Sequence, residues 1–155
     1  LEADEAEMSV VFSDPSLADN PMVYVSKEFE QQTGYSAAEA IGRNCRFLQG
    51  DDRDQAALEI LREAIKQHQA CTVTLRNYRK NGEEFWNEVM IAPLLDEQGK
   101  ASHFVALNQD VSQREHLAGE ALGVHADIDP ADAGHADSEW RDRLAPGDHP
   151  ERLQL

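Results

Sequence analysis

Cys45 stands between an amide and a guanidinium, Asn44 and Arg46, with Phe47, Leu48 and Gln49 behind it and glycines closing both ends at Gly42 and Gly50. A lone cysteine most often packs as a small inert hydrophobe. This one is crowded by polar groups, because Arg43 and Gln49 share the same short stretch. Amides and guanidinium groups need partners wherever they are buried. The stretch therefore suits a turn wrapped around a bound molecule that supplies those partners.

Two arginines are placed to hold a phosphate. Arg46 lies in the cysteine stretch and Arg62 lies further on, next to an apolar stripe. A guanidinium fork matches phosphate oxygens better than a lysine does. Arg62 equally suits an ordinary ion pair with Glu59 or Glu63.

The elements that must carry these residues can be read from the spacing. Residues 8–12 and 22–25 form a short strand pair, separated by the turn signals Asp14-Pro15 and Asp19-Asn20-Pro21. A short helix over 27–32 ends at Gly34. Ser36 and Glu39 form a capping box that starts a second helix, stopped at Gly42. After the cysteine stretch, Asp51, Asp52 and Asp54 offer N-caps for a longer helix over about 55–69, with Leu58, Leu61 and Ile65 on one face. Strands follow over 71–79, 83–95 and 101–111, joined by turns at Asn81-Gly82 and Gly99. This order predicts an α+β fold: a five-stranded antiparallel sheet with helices on one face, plus flanking terminal helices.

Strand parity places Val73, Leu75, Asn77, Phe85, Asn87, Val89, Ile91, Phe104, Ala106 and Asn108 on one sheet face. Three asparagines interrupt that otherwise apolar surface. Each buried amide costs about 1–3 kcal/mol if unpaired. A flat heteroaromatic ligand with donors and acceptors along one edge resolves the conflict. Amides bonded to backbone or trapped water would also serve, less comfortably for three than for one. The opposite face carries Tyr78, Trp86, Met90, Val105 and Leu107. A solvated antiparallel face would be polar, so terminal segments or a second copy of the chain are expected to cover it.

Composition narrows the function. The 155 residues carry a net charge of −16, concentrated on the flanks. Residues 1–20 hold six acids and no lysine or arginine, and residues 112–155 hold ten acids against four arginines. That field repels nucleic acid. No apolar run reaches membrane-span length. Two cysteines do not make a disulfide framework, so a reducing cytoplasm is expected. The chain opens on Leu1 rather than Met, with no visible signal peptide. No dinucleotide glycine motif is present, and the six histidines lack metal-ligand spacing, so neither an enzyme nor a metal site is expected. The organisation reads as a flank over 1–9, a core over 10–111, and a partly helical extension over 112–155 without an effector domain. A weak helical stretch lies at 138–144.

Residues 42–49, Gly-Arg-Asn-Cys-Arg-Phe-Leu-Gln, closely resemble the flavin-binding signature of the LOV (light, oxygen, voltage) branch of the PAS domains. Asp19-Asn20-Pro21, residues 75–82 and Phe85-Trp86-Asn87 extend the resemblance in the same order, over about 10–111. Residues 4–13 also resemble the start of short LOV proteins of alphaproteobacteria. The resemblance implies non-covalent FMN, with Cys45 as the thiol that adds reversibly to ring carbon C4a under blue light. It implies that Arg46 and Arg62 pair with the phosphate. It further implies that Asn44 and Gln49 reach the ribityl chain and phosphate region, and that Asn77 and Asn87 bond the pyrimidine edge. Val11, Ser13, Asn20, Met22, Thr33, Leu48, Val89, Ile91 and Phe104 match positions that line the ring, although core packing explains any single apolar one.

One position departs from the family. Asn108 stands where a glutamine usually contacts ring atom N5, and Gln109 follows it. Asparagine is one methylene shorter. Either a bulge turns Gln109 inward, or Asn108 transmits the signal more weakly or through water. The expected function is blue-light sensing, with output through terminal helices, a light-dependent homodimer across the outer sheet face, or a downstream protein of unknown identity. A flavin-binding redox or dark-state sensor with a structural Cys45 is the alternative.

Overall fold

A computed structural model describes residues 8–118. Five strands run as β1 (Ser9–Ser13), β2 (Met22–Val25), β3 (Cys71–Tyr78), β4 (Glu84–Leu95) and β5 (Ala101–Asp110). The helices are α1 (Lys27–Thr33), α2 (Ala37–Ala40), α3 (Ala56–Lys66) and α4 (Ser112–Ala118), with a 3-10 helix at Cys45–Gln49. The sheet is antiparallel throughout, in the order β2-β1-β5-β4-β3. Chain termini of the sheet thus meet at its centre, where β1 lies beside β5. The extension after 118, including the stretch at 138–144, lies outside the described residues.

Local chemistry explains the short elements. Ser36 Oγ accepts from Glu39 N at 3.2 Å while Ser36 N donates to Glu39 Oε1 at 2.9 Å, which is the reciprocal cap expected for α2. The end of α1 turns at Gly34, where φ is +80° and an added Cβ would sit 3.3 Å from the Lys80 Cβ. Only glycine fits that close approach at that backbone angle. Beside it, Lys80 N donates to the Thr33 carbonyl at 2.7 Å and docks the helix onto the β3–β4 turn.

Strand parity holds across the sheet. Val73 pairs with Val89, Leu75 with Asn87, and Asn77 with Phe85. Val89 in turn pairs with Asn108, and Ile91 with Ala106. This inner face packs against Ala57, Leu58, Leu61 and Ala64 of α3. Burying the larger of those side chains contributes on the order of 1.5–3 kcal/mol each. The register from Asn87↔Asp110 to Leu94↔His103 is unbroken, so no bulge lies at 108–109. Asn108 therefore faces inward, and Gln109, opposite Glu88, faces outward.

Two expectations are corrected. The third helix spans 56–66 rather than 55–69, because Gln67 ends it and His68 adopts a positive φ of 56°. Its N-cap is Gln55, without a side-chain cap bond, and none of the three aspartates caps it. Asp52 is drawn away by a stronger partner: its two oxygens take Arg76 Nε at 2.6 Å and Nη2 at 2.9 Å, and Tyr78 OH at 2.7 Å. On the outer face, Phe12 and Leu107 are fully buried at the centre of the sheet.

Candidate functional site

The cysteine stretch is fixed to the sheet by backbone hydrogen bonds. Gly42 N donates to the Met22 carbonyl at 2.8 Å, and Met22 N donates to the Arg43 carbonyl at 2.9 Å. These bonds seat the 3-10 helix over β2. Asn44 caps that helix, its Oδ1 accepting from Arg46 N at 3.0 Å and its Nδ2 donating to the Asp19 carbonyl at 2.8 Å. Both ends of the Asn44 amide are thus engaged by the protein. Arg43 points away from the interior and stacks over Phe47, 3.9 Å from its ring centre.

A pocket of about 300 Å³ opens between the 3-10 helix, α3 and the inner sheet face. Such volumes fall at the lower end of small-molecule sites. One wall comes from Cys45, Arg46 and Gln49, and the second from Leu58, Leu61, Arg62 and Ile65. The sheet supplies Val11, Ser13, Met22, Ile91, Phe104 and Ala106, and the turn before β2 supplies Asn20.

Cys45 exposes its surface to this pocket, while surrounding protein atoms shield its thiol from bulk water. Loss of solvent raises its pKa, against the opposing pull of a backbone hydrogen bond and of Arg46. The thiol is therefore held protonated. Arg46 pairs with Asp19, and their contact raises the arginine pKa while lowering the aspartate's. Arg62 lines the pocket, and no ion pair to Glu59 or Glu63 forms among the described residues. Arg53 and Lys66 line it too. The spacing rules gave no reason to select either.

On the inner face, Asn108 lies one inward-facing position beyond Ala106 and Asn87 two beyond Ile91, and the asparagines close on each other. Asn87 Nδ2 donates to Asn77 Oδ1 at 2.9 Å and to Asn108 Oδ1 at 3.3 Å. Asn87 Oδ1 and Asn20 Oδ1 are buried with no hydrogen-bond partner. An orphaned buried acceptor of this kind asks for a ligand donor or a water. Asn77, Asn87, Asn108, Thr33, Leu48 and Val89 are not on the pocket wall itself. Thr33 Oγ1 is committed to the end of α1, donating to the Phe29 carbonyl at 2.9 Å and accepting from Tyr35 N at 3.1 Å. Leu48 packs with Val11, Met22 and Phe29 in the core.

No helix among the described residues is long and apolar enough to cross a membrane. No cluster of three His, Cys, Asp or Glu there could hold a metal ion.

A family model described as a PAS domain matches residues 7–113, and the chain belongs to that family. Over 107 residues it is 44% identical to blue-light-activated histidine kinase 2 of Erythrobacter litoralis, a match covering 69% of this chain and 31% of the kinase. It is 42% identical over 107 residues to the blue-light photoreceptor of Listeria innocua, covering 69% of this chain and 42% of that protein. The solved LOV domain of the Erythrobacter litoralis EL346 kinase superposes with a TM-score of 0.65 at 43% identity, covering 68% of this chain and 97% of that domain. Within the PAS superfamily, these likenesses define a LOV domain. The chain spans less than half the length of the two full-length relatives.

Proposed function

We propose that the chain senses blue light through a bound FMN, with Cys45 as the reacting thiol. The observation that carries this reading is one pocket shared by a protonated thiol, apolar walls and a cationic mouth. The donor and acceptor set fits a flavin. Leu58, Leu61, Ile91 and Phe104 offer apolar contact to a flat ring, and the orphaned Asn87 oxygen with Asn77 suits the polar pyrimidine edge. Arg46 and Arg62 suit the phosphate, and Gln49 suits the ribityl side.

FMN supplies the light absorption and an electrophilic ring carbon. Cys45 would hold its thiol, with the sulfur still protonated, against that carbon, where a bound flavin would make a reversible addition of the sulfur possible under light. Light provides the driving force, so no catalytic base is needed, and a thiol with a raised pKa stays unreactive until then. Output passes to the terminal segments, to self-association, or to a separate protein.

One absorption measurement tests the reading. Protein loaded with FMN should bleach under blue light and recover in darkness, and Cys45→Ser should keep its colour without bleaching. An unchanged spectrum in the illuminated native protein would sink the proposal.

A further inference from the structure

Asn108 is one methylene short of the family's glutamine, and the residue standing against it is Gln32 in the last turn of α1. Gln32 Nε2 donates to the Asn108 carbonyl at 3.2 Å, while its Oε1 accepts from Ser9 Oγ at 3.0 Å. Ser9 is fully buried and lies opposite Asn108 in the β1–β5 register. One side-chain amide thus spans the two central strands where the asparagine cluster ends.

The main chain of Gln32 reaches a different place. Its carbonyl accepts from Arg79 Nη1. Arg79 Nη2 in turn donates to Asp110 Oδ2 at 2.8 Å, and Asp110 Oδ1 accepts from Ser112 N, the first residue of α4, at 3.0 Å. Trp86 N closes this corner by donating to Ser112 Oγ at 2.9 Å. Arg79 is held over Phe85, 4.3 Å from its ring centre, so the guanidinium has little freedom to reorient.

We infer that Gln32 is a positioning residue that couples the backbone of Asn108 both to the start of β1 and, through Arg79 and Asp110, to the root of α4. This rests on the flavin reading above. An amide donates at one end and accepts at the other, at fixed separation. A displacement of β5 at Asn108 must therefore move Ser9 with it or break one of two bonds. Either response changes the constraint on the segments at both ends of the sheet. The shortened side chain at 108 is compensated by an amide supplied from α1, acting on the strand's main chain.

The test uses the full chain loaded with FMN and reads two signals together. Absorption reports whether light reaches Cys45, and hydrogen–deuterium exchange reports residues 9–13 and 110–118 in darkness and under blue light. The native chain should show faster exchange in both segments when lit. Gln32→Leu removes the side-chain bonds to Ser9 and Asn108, and Gln32→Glu keeps the shape while losing the donor to Asn108. Both should still bleach, keep native dark exchange in β3 and β4, and lose the light-driven difference at 9–13 and 110–118. Ser9→Ala, a smaller change, should lose the difference at 9–13 and retain it at 110–118. Variants that bleach and keep the native light-driven difference in both segments overturn the inference while leaving the flavin reading intact. A native chain that bleaches without any change in either segment does the same. A native chain that does not bleach overturns both.

Discussion

Asn87 donates its amide hydrogen to Asn77 at 2.9 Å while its own carbonyl oxygen stays buried without a partner. In the proposed flavin site the pair is half of a recognition edge, satisfied on one side and open on the other. Asn87→Leu should consequently separate two quantities that usually move together. In the flavin-free protein, loss of the bonds to Asn77 and Asn108 is partly offset by removal of the orphaned oxygen, so stability should fall by only about 1 kcal/mol. Flavin affinity should fall by about 1–3 kcal/mol, roughly 5- to 150-fold, because a ring donor or acceptor loses its partner. Thermal melting with and without FMN reads both quantities. Equal losses in the two conditions would mean that Asn87 is purely structural.

Cys45 faces the pocket but is desolvated, which lifts its pKa above its ordinary value of 9.0. A higher pKa means less thiolate at any pH below it. Alkylation of the flavin-free protein in darkness at pH 8 should therefore run more slowly than that of a free cysteine, despite access through the pocket. The same sign sets a stability trend. The unfolded thiol ionises at lower pH than the folded one, so stability falls as pH rises through and beyond the ordinary thiol range. Cys45→Ser should flatten that fall in an unfolding series at alkaline pH.

The parts of this molecule legible in the sequence are those set by near neighbours or by strict alternation. Ser36 and Glu39 are three residues apart and cap each other, as their spacing requires. The inward placement of Asn77, Asn87 and Asn108 follows from a period of two, held by an unbroken register. What the sequence hides is partnership across distance. Asp52 looks like an N-cap from its neighbours, but Arg76 lies 24 residues away and outcompetes a single backbone amide. Arg46 and Asp19 are separated by 27 residues. Arg53 and Lys66 belong to no local pattern, and only the approach of the loop after the 3-10 helix to α3 puts them on one pocket.

Those two residues enlarge the cationic mouth to four groups, Arg46, Arg53, Arg62 and Lys66, in a chain whose net charge is −16. Arg53→Ala and Lys66→Ala should each weaken FMN binding by up to about 1 kcal/mol, because exposed charge pairs are screened by water. Binding of riboflavin, which has the same ring and no phosphate, should be unaffected. The FMN effect should also shrink at high salt. Titrations of both flavins at two ionic strengths make the comparison, and a matching loss for riboflavin would show that these residues act through the fold.

Asp52 ties the loop after the cysteine helix to the edge strand β3 through Arg76 and Tyr78, both on its carboxylate. Gln55 adds two bonds to the same strand, donating to the Arg76 carbonyl at 3.0 Å and accepting from Arg76 N at 2.8 Å. The hydrogen bond from Arg76 holds the Asp52 pKa below its ordinary 3.8, and the aspartate in turn pushes Tyr78 up to about 12. For a carboxylate with a depressed folded pKa, the stabilisation is complete above the unfolded value and is lost as pH falls through the folded one. Asp52→Asn should thus cost about 1–2 kcal/mol at neutral pH. The gap between native and variant should close below pH 3.8 as the native carboxyl takes up its proton. Tyr78→Phe should remove a smaller share and leave Tyr78's titration out of the alkaline limb. Denaturant unfolding across that pH range gives the result, and a gap that persists undiminished in acid would mean that the carboxylate charge is not what holds the loop to the strand.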